Sequence, residues 1–306
     1  MFITPLQQAS CADRNSVSCG PDPSDWIAPS LPVGWRLLSF HFFVDWMQSP
    51  PHLANRVWLA RQVRFEHESE MAKELESNLL NMFNQSDDRN CFDGLEDVCR
   101  KYSHDLSAMI LPDIPVSVIT EQTPIWVIRR TENADLGIGK YSVNSLKKAI
   151  QFHSGGPVKV GTKGLTYGTS AVECFLSGSD AAFPGDADGV VVDDQNQVRC
   201  VIEYKKHTIG DALDNHLINR YYPSPDGRKY KRLEALRLHY ERVNQSPTPL
   251  VIVYFSTREP VIRLQEIDRL NDDSVDIRRD SGNINIDGKH SNDISKQVIQ
   301  WLGIQI

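Results

Sequence analysis

Asp188, Glu203 and Lys205 are the residues of this chain whose types and spacing could do chemistry together. Asp188 opens an apolar run from Val190 to Val192, and Glu203-Tyr204-Lys205 closes a second run that begins at Val198. Two β-branched runs separated by a polar stretch, here Asp193 to Gln197, read as a β-hairpin. With the turn centred on Gln195 and Asn196, position 188 falls opposite position 203, and opposed residues share a face about 5 Å apart. Residues two apart on a strand also share a face, so Lys205 projects beside Glu203. Two carboxylates and an ammonium then converge at the open end of the hairpin. Paired carboxylates suit Mg²⁺, which keeps several waters and accepts substrate phosphate as a further ligand. Such an ion acidifies water and offsets charge developing on a phosphate, while a lysine can orient the attacking water.

An aspartate opening one strand, followed by Glu-x-Lys closing the next, resembles the PD-(D/E)xK phosphodiesterase superfamily, the restriction-endonuclease-like nucleases. The resemblance covers Gly168 to Ser256, under a third of the chain. It implies metal binding by Asp188 and Glu203, a water-assisting role for Lys205, and Mg²⁺ as cofactor with Mn²⁺ able to substitute. The family often adds a glutamate on the helix before the hairpin, and Glu173 is the residue in that place. One departure is that no Pro-Asp dipeptide stands at this hairpin; Pro184-Gly185-Asp186 precedes Asp188, so Asp186 rivals it as ligand.

Plainer roles stand beside these. Charges at strand ends are often solvated, yet Glu203 and Lys205 end a run that reads as a buried strand, where unpaired charge is disfavoured. Ser170-x-x-Glu173 is also a capping box, which would spend the glutamate on a helix start. Asp186 follows Pro-Gly and could be a turn residue. His41, in an aromatic run, reads as a core or edge histidine. His67-Glu68 lacks the second histidine of a zinc-protease helix, since Met71 stands there, and that reading is rejected.

The chain has 306 residues, 40% hydrophobic and 24% charged, with a net charge of −7, enough for one large domain or two modest ones. An acidic balance argues against a binder held on nucleic acid by bulk charge. One basic strip departs from it: between Arg220 and Arg242 seven basic residues stand against three acidic ones. Lys229, Lys231 and Arg232 of this strip, with Lys206 next to Lys205, are the expected contacts to a phosphate backbone. DNA is favoured over RNA as the partner, and a homodimer or a regulatory protein partner is a further expectation. Cys11, Cys19, Cys91, Cys99, Cys174 and Cys200 form no zinc spacing and no evident disulfide framework. With no leader pattern and no 18-residue apolar run, a cytoplasmic protein with no membrane partner is expected.

The order of elements implies an α/β (α+β) fold, a restriction-endonuclease-like mixed sheet flanked by helices. Residues 1–135 are expected to form an N-terminal mixed accessory or regulatory region, and 136–306 the nuclease domain, with the boundary in the turn-rich 131–140. Arg36 to Met47 is a strand or a buried helix. Apolar residues spaced three and four apart predict a helix from about His52 to Phe83. Helices are further expected over 95–102, 142–152, 209–222, 229–243 and 293–302. Pro249 to Thr257 reads as a strand buried on both faces. Residues 271–282 read as a loop, and Gly161 to Gly164 as a turn or a mobile loop without P-loop spacing. The leading function is a metal-dependent nuclease. The rivals are an inactive nuclease-fold module that binds or scaffolds nucleic acid, and a hydrolase of small nucleotides.

Overall fold

A computed structural model describes residues 2–13, 15, 22–64, 75–159, 165–208 and 210–304. The mixed α/β class is as expected. The chain divides into two compact units, one of residues 1–18 and 40–185, the other of 19–39 and 186–306. Two of the divisions, at 39/40 and 185/186, fall inside extended strands, and none falls in the turn-rich 131–140. There Thr131 N bonds Asp135 O at 2.9 Å, closing a hairpin within the first unit.

In the first unit, β1 (Phe2–Pro5) pairs with the end of β4 (His52–Arg64), and β3 (Arg36–Asp45) pairs with its start. Next to β4 runs β5 (Asp105–Pro112) in parallel, then β6 (Pro124–Arg130) and β7 (Leu136–Ser142) antiparallel. The helix expected from His52 is therefore a strand over His52–Arg64. Val57 to Ala60 are all buried, and a run buried on both faces imitates helical spacing over one turn. Helices α1 (Leu75–Gln85), α2 (Asp87–Lys101) and α3 (Val143–His153) complete the unit's larger elements. Ser142 caps α3 by accepting from Ser145 N. Residues 65–74, which include His67-Glu68, and Gly161 to Gly164 lie outside the described residues.

A short ladder joins β2 (Ala9–Ser10) to β8 (Tyr167–Gly168), which leads into the six-residue helix α4 (Ala171–Leu176). Beside it Cys11 and Cys174 form a disulfide across 163 residues of sequence. Any Cβ at Gly168 would lie 2.8 Å from the Cys174 sulfur, so this close approach requires glycine. The absence of a disulfide framework, argued from cysteine spacing, is thus corrected.

The second unit is built on a sheet ordered β13-β12-β11-β10-β9, comprising β9 (Gly185–Val192), β10 (Val198–His207), β11 (Leu250–Ser256), β12 (Val261–Leu270) and β13 (Val275–Asp280). All pairs are antiparallel except β10 with β11, whose parallel pairing is bridged by α5 (Gly227–Asn244). Every residue of β11 is buried, as its apolar run requires. β14 (Ile284–Asn285) pairs with the start of β12, and α6 (Ser291–Trp301) closes the unit. Trp26 packs edge-on against Phe255 with centroids 5.4 Å apart, in a core shared with Val298 and Ile299 of α6. Two expectations change here. Residues 275–280 form a strand and not a loop, and the segment before α5 forms two short 3-10 turns, Leu213–His216 and Ile218–Arg220, in place of a helix. Ile209, where that helix was to begin, is outside the described residues.

Among the described residues no helix is long and apolar enough to cross a membrane.

Candidate functional site

The site is laid out by the β9–β10 hairpin. Its turn is held by Asp193, whose Oδ1 accepts from Gln195 N at 2.9 Å and Gln197 N at 2.7 Å, while Asn196 adopts a left-handed φ of 60°. The ladder pairs Cys200 with Val191, Val201 with Val190 and Ile202 with Gly189. A bulge between Val198 and Cys200 absorbs the uneven loop, and the register places 203 opposite 188, as the sequence implied. Tyr204 N donates to Asp188 Oδ2 at 2.8 Å, fixing the aspartate against β10.

Glu203 is 0% exposed. Lys229 Nζ lies 2.5 Å from its Oε1, yet neither carboxylate oxygen meets a well-directed hydrogen bond among the described residues. Burial raises its pKa well above the usual carboxylate range, and Asp188 raises it further, with Lys229 opposing both. Asp188 is likewise pushed up, to about 6, first by burial and then by Asp186, against the pull of Lys229. Burial would lower the Lys229 ammonium, but Glu203, Asp186 and Asp188 outweigh it and hold it well above the ordinary lysine value. Three carboxylates thus act on one another through a single ammonium, leaving local negative charge in a poorly solvated place. Residues with pKa values displaced by burial and by specific partners cluster where proteins bind ions or do chemistry.

The predicted residues separate. Asp188 and Glu203 come together, and Asp186 joins them as a third carboxylate. Lys229, expected on a phosphate backbone, is the cation against Glu203. Lys205 instead pairs with Asp226 and sits over the Tyr221 ring, 4.3 Å from its centroid. Glu173 belongs to the first unit, where its carboxylate accepts from Thr169 N at 2.6 Å and Thr169 Oγ1 at 2.8 Å; Ser170 Oγ in turn accepts from Glu173 N at 3.0 Å. That is a helix-start cap, one of the two roles open to it from sequence. Lys206 lines a small cavity at the end of β10. Lys231 is exposed and Arg232 half-buried on α5. Part of the basic strip is spent within the helix, since Arg237 pairs with Glu234 at 2.6 Å and with Glu241 at 3.3 Å.

Sequence reasoning missed a second cluster that begins two residues beyond Lys205. His207 continues the face of Glu203 and Lys205, and its Nε2 is 3.2 Å from Asp211 Oδ1. His216 Nε2 is 2.8 Å from both Asp211 oxygens, and its Nδ1 is 2.7 Å from Tyr221 Oη. The hydrogen bond to His216 holds the Asp211 carboxyl below its usual range. The signal was His-x3-Asp-x4-His, a spacing that a search for Cys/His pairs passes over.

No known protein family, curated protein or solved structure matches the chain.

Proposed function

We propose that this protein is a metal-dependent nuclease of the kind its hairpin resembles, with Asp188 and Glu203 holding Mg²⁺ or Mn²⁺ and Asp186 beside them. The observation that carries the reading is the fully buried Glu203 carboxylate, which meets one ammonium, Lys229, while facing a second carboxylate raised to about 6. Such an arrangement is costly for a purely structural site and fits a hard cation with oxygen ligands. When bound, the ion would supply Lewis-acid stabilisation of a phosphate oxygen and a water of lowered pKa.

The chain's own groups account for the rest. Lys229 Nζ, next to Glu203, is placed to balance negative charge as a water oxygen bonds to phosphorus and a P–O ester bond breaks. The attacking water gives up one proton, the leaving alkoxide takes one up, and one strand becomes two. Lys205, held by Asp226 and backed by Tyr221 and Tyr230, is a fixed ammonium farther along the same face. Exposed Arg228 and Lys231 at the start of α5 would hold a phosphate backbone without reading bases, and DNA is the favoured substrate. The rival reading, a binding module without catalysis, draws on the Lys229–Glu203 ion pair, which could be structural. It predicts that nucleic-acid affinity survives Glu203→Gln and that Mg²⁺ has no effect.

Proton linkage separates the two. Raised folded-state carboxyl pKa values contribute stability that is present below the ordinary carboxylate range and lost as pH rises through about 6. A divalent ion needs these groups ionised, so the stabilisation given by Mg²⁺ should grow as pH rises from about 5 to about 7. Thermal unfolding with and without Mg²⁺ across that range measures it. An equal Mg²⁺ effect at both ends, or one retained in Glu203→Gln, would count against the site.

A further inference from the structure

We propose that His207, Asp211 and His216 form a second metal site, for a zinc-class transition ion, distinct from the carboxylate site on the same strand. Two imidazole rings lie 4.4 Å apart at an interplanar angle of 34°, and both Nε2 atoms converge on one carboxylate. A carboxylate with two neutral imidazole nitrogens is a borderline donor set, suited to Zn²⁺ and poorly suited to Mg²⁺. The Nε2-to-carboxylate separations of 2.8 and 3.2 Å compare with the roughly 3.3 Å between ligand atoms of a tetrahedral zinc whose bonds are about 2.0–2.1 Å. Little movement is needed to admit an ion.

The surroundings support the assignment. Tyr221 Oη, 2.7 Å from His216 Nδ1, can accept a hydrogen bond from Nδ1–H and so leave Nε2 as the lone-pair donor, the usual device for orienting a metal-bound imidazole. His207 is 5% exposed, and its Nδ1 has no hydrogen-bond partner among the described residues, so the ring is anchored from the Asp211 side alone. Three protein ligands leave a fourth position for water or an anion, the pattern of open zinc sites. Beside the cluster is a cavity of about 150 Å³ lined by Lys205, Lys206, Thr208 and Tyr221, with room for a phosphate-sized group near two ammonium ions. An ion here would also tie the short turns before α5 to the end of β10, steadying Tyr221 under Lys205.

The test uses the full chain, stripped of metal with a chelator and titrated with Zn²⁺ or Co²⁺ alone. Binding is followed by calorimetry, by metal content after gel filtration, and by the visible absorption of bound Co²⁺. One equivalent is expected in wild type, and the same equivalent in Glu203→Gln, which spoils only the carboxylate site. In His216→Ala and Asp211→Asn, chosen because neither residue is buried, affinity should fall more than about 100-fold; Tyr221→Phe should cost about 10-fold. Circular dichroism confirms that each variant folds. The proposal is overturned if folded wild type takes up no ion, if binding is lost in Glu203→Gln but kept in His216→Ala, or if the Co²⁺ spectrum is that of thiolate ligation.

Discussion

On the nuclease reading proposed above, replacing Asp188 with Asn should make the metal-free protein more stable and nearly abolish cleavage. Asparagine keeps an oxygen to accept the Tyr204 N–H and removes a half-buried charge that lies close to those of Asp186 and Glu203. A carboxyl held near pKa 6, against 3.8 in its ordinary state, opposes folding at neutral pH by on the order of 2 kcal/mol, and the amide relieves part of that. Loss of a metal ligand should lower kcat by about 10³-fold, about 4 kcal/mol in the barrier. Urea unfolding at neutral pH in EDTA, beside steady-state cleavage of a labelled oligonucleotide, gives both numbers. Gain of stability with loss of activity is the trade expected of a functional site built against local electrostatics. A structural ion-pair network would behave oppositely, because removing one member of a satisfied network destabilises it. Loss of stability in Asp188→Asn would therefore remove the main physical support for the catalytic reading.

The second large effect lies in the first unit. Cys11 and Cys174 close a loop spanning 163 residues of sequence, and the chain-entropy argument values such a cross-link at about 5 kcal/mol, with strain and residual structure commonly reducing it to about 3. Cys11→Ser, and wild type under reductant, should each unfold about 10 °C lower than oxidised wild type. The two should coincide. Alkylation and intact-mass measurement establish how many thiols are free before and after reduction. An oxidised preparation in which Cys11 alkylates freely, with no reductant-dependent change in melting, would refute the bond.

The parts legible in the sequence were local and periodic. The hairpin register followed from two β-branched runs and a polar turn, and Asp193 and Asn196 supply the turn chemistry that fixes it. The cap at Ser170, the helix from Gly227 and the fully buried strand Leu250–Ser256 each have a signal complete within a few residues. The failures were of another kind. The strand His52–Arg64 is covered on both faces in its middle, which erases the period of two that distinguishes strand from helix. The unit boundaries near residues 39 and 185 lie in strands, so no Gly- or Pro-rich linker marks them. Lys229 reaches Glu203 only because α5 returns over β10, a long-range placement that charge counting along the strip could not foresee. The His207 cluster draws its side chains from a strand end, a loop and a 3-10 turn, three backbones with no common period.

The measurement that bears most directly on the central claim is cleavage of plasmid DNA, single-stranded DNA and RNA by the full chain in Mg²⁺, Mn²⁺ or EDTA. Glu203→Gln and Lys229→Ala would be run in parallel after their folding is checked. The account predicts cutting that requires the divalent ion, strongest on DNA, abolished in Glu203→Gln and weakened in Lys229→Ala. Well-folded wild type that cuts no substrate with either ion, or cutting that Glu203→Gln leaves intact, would contradict it.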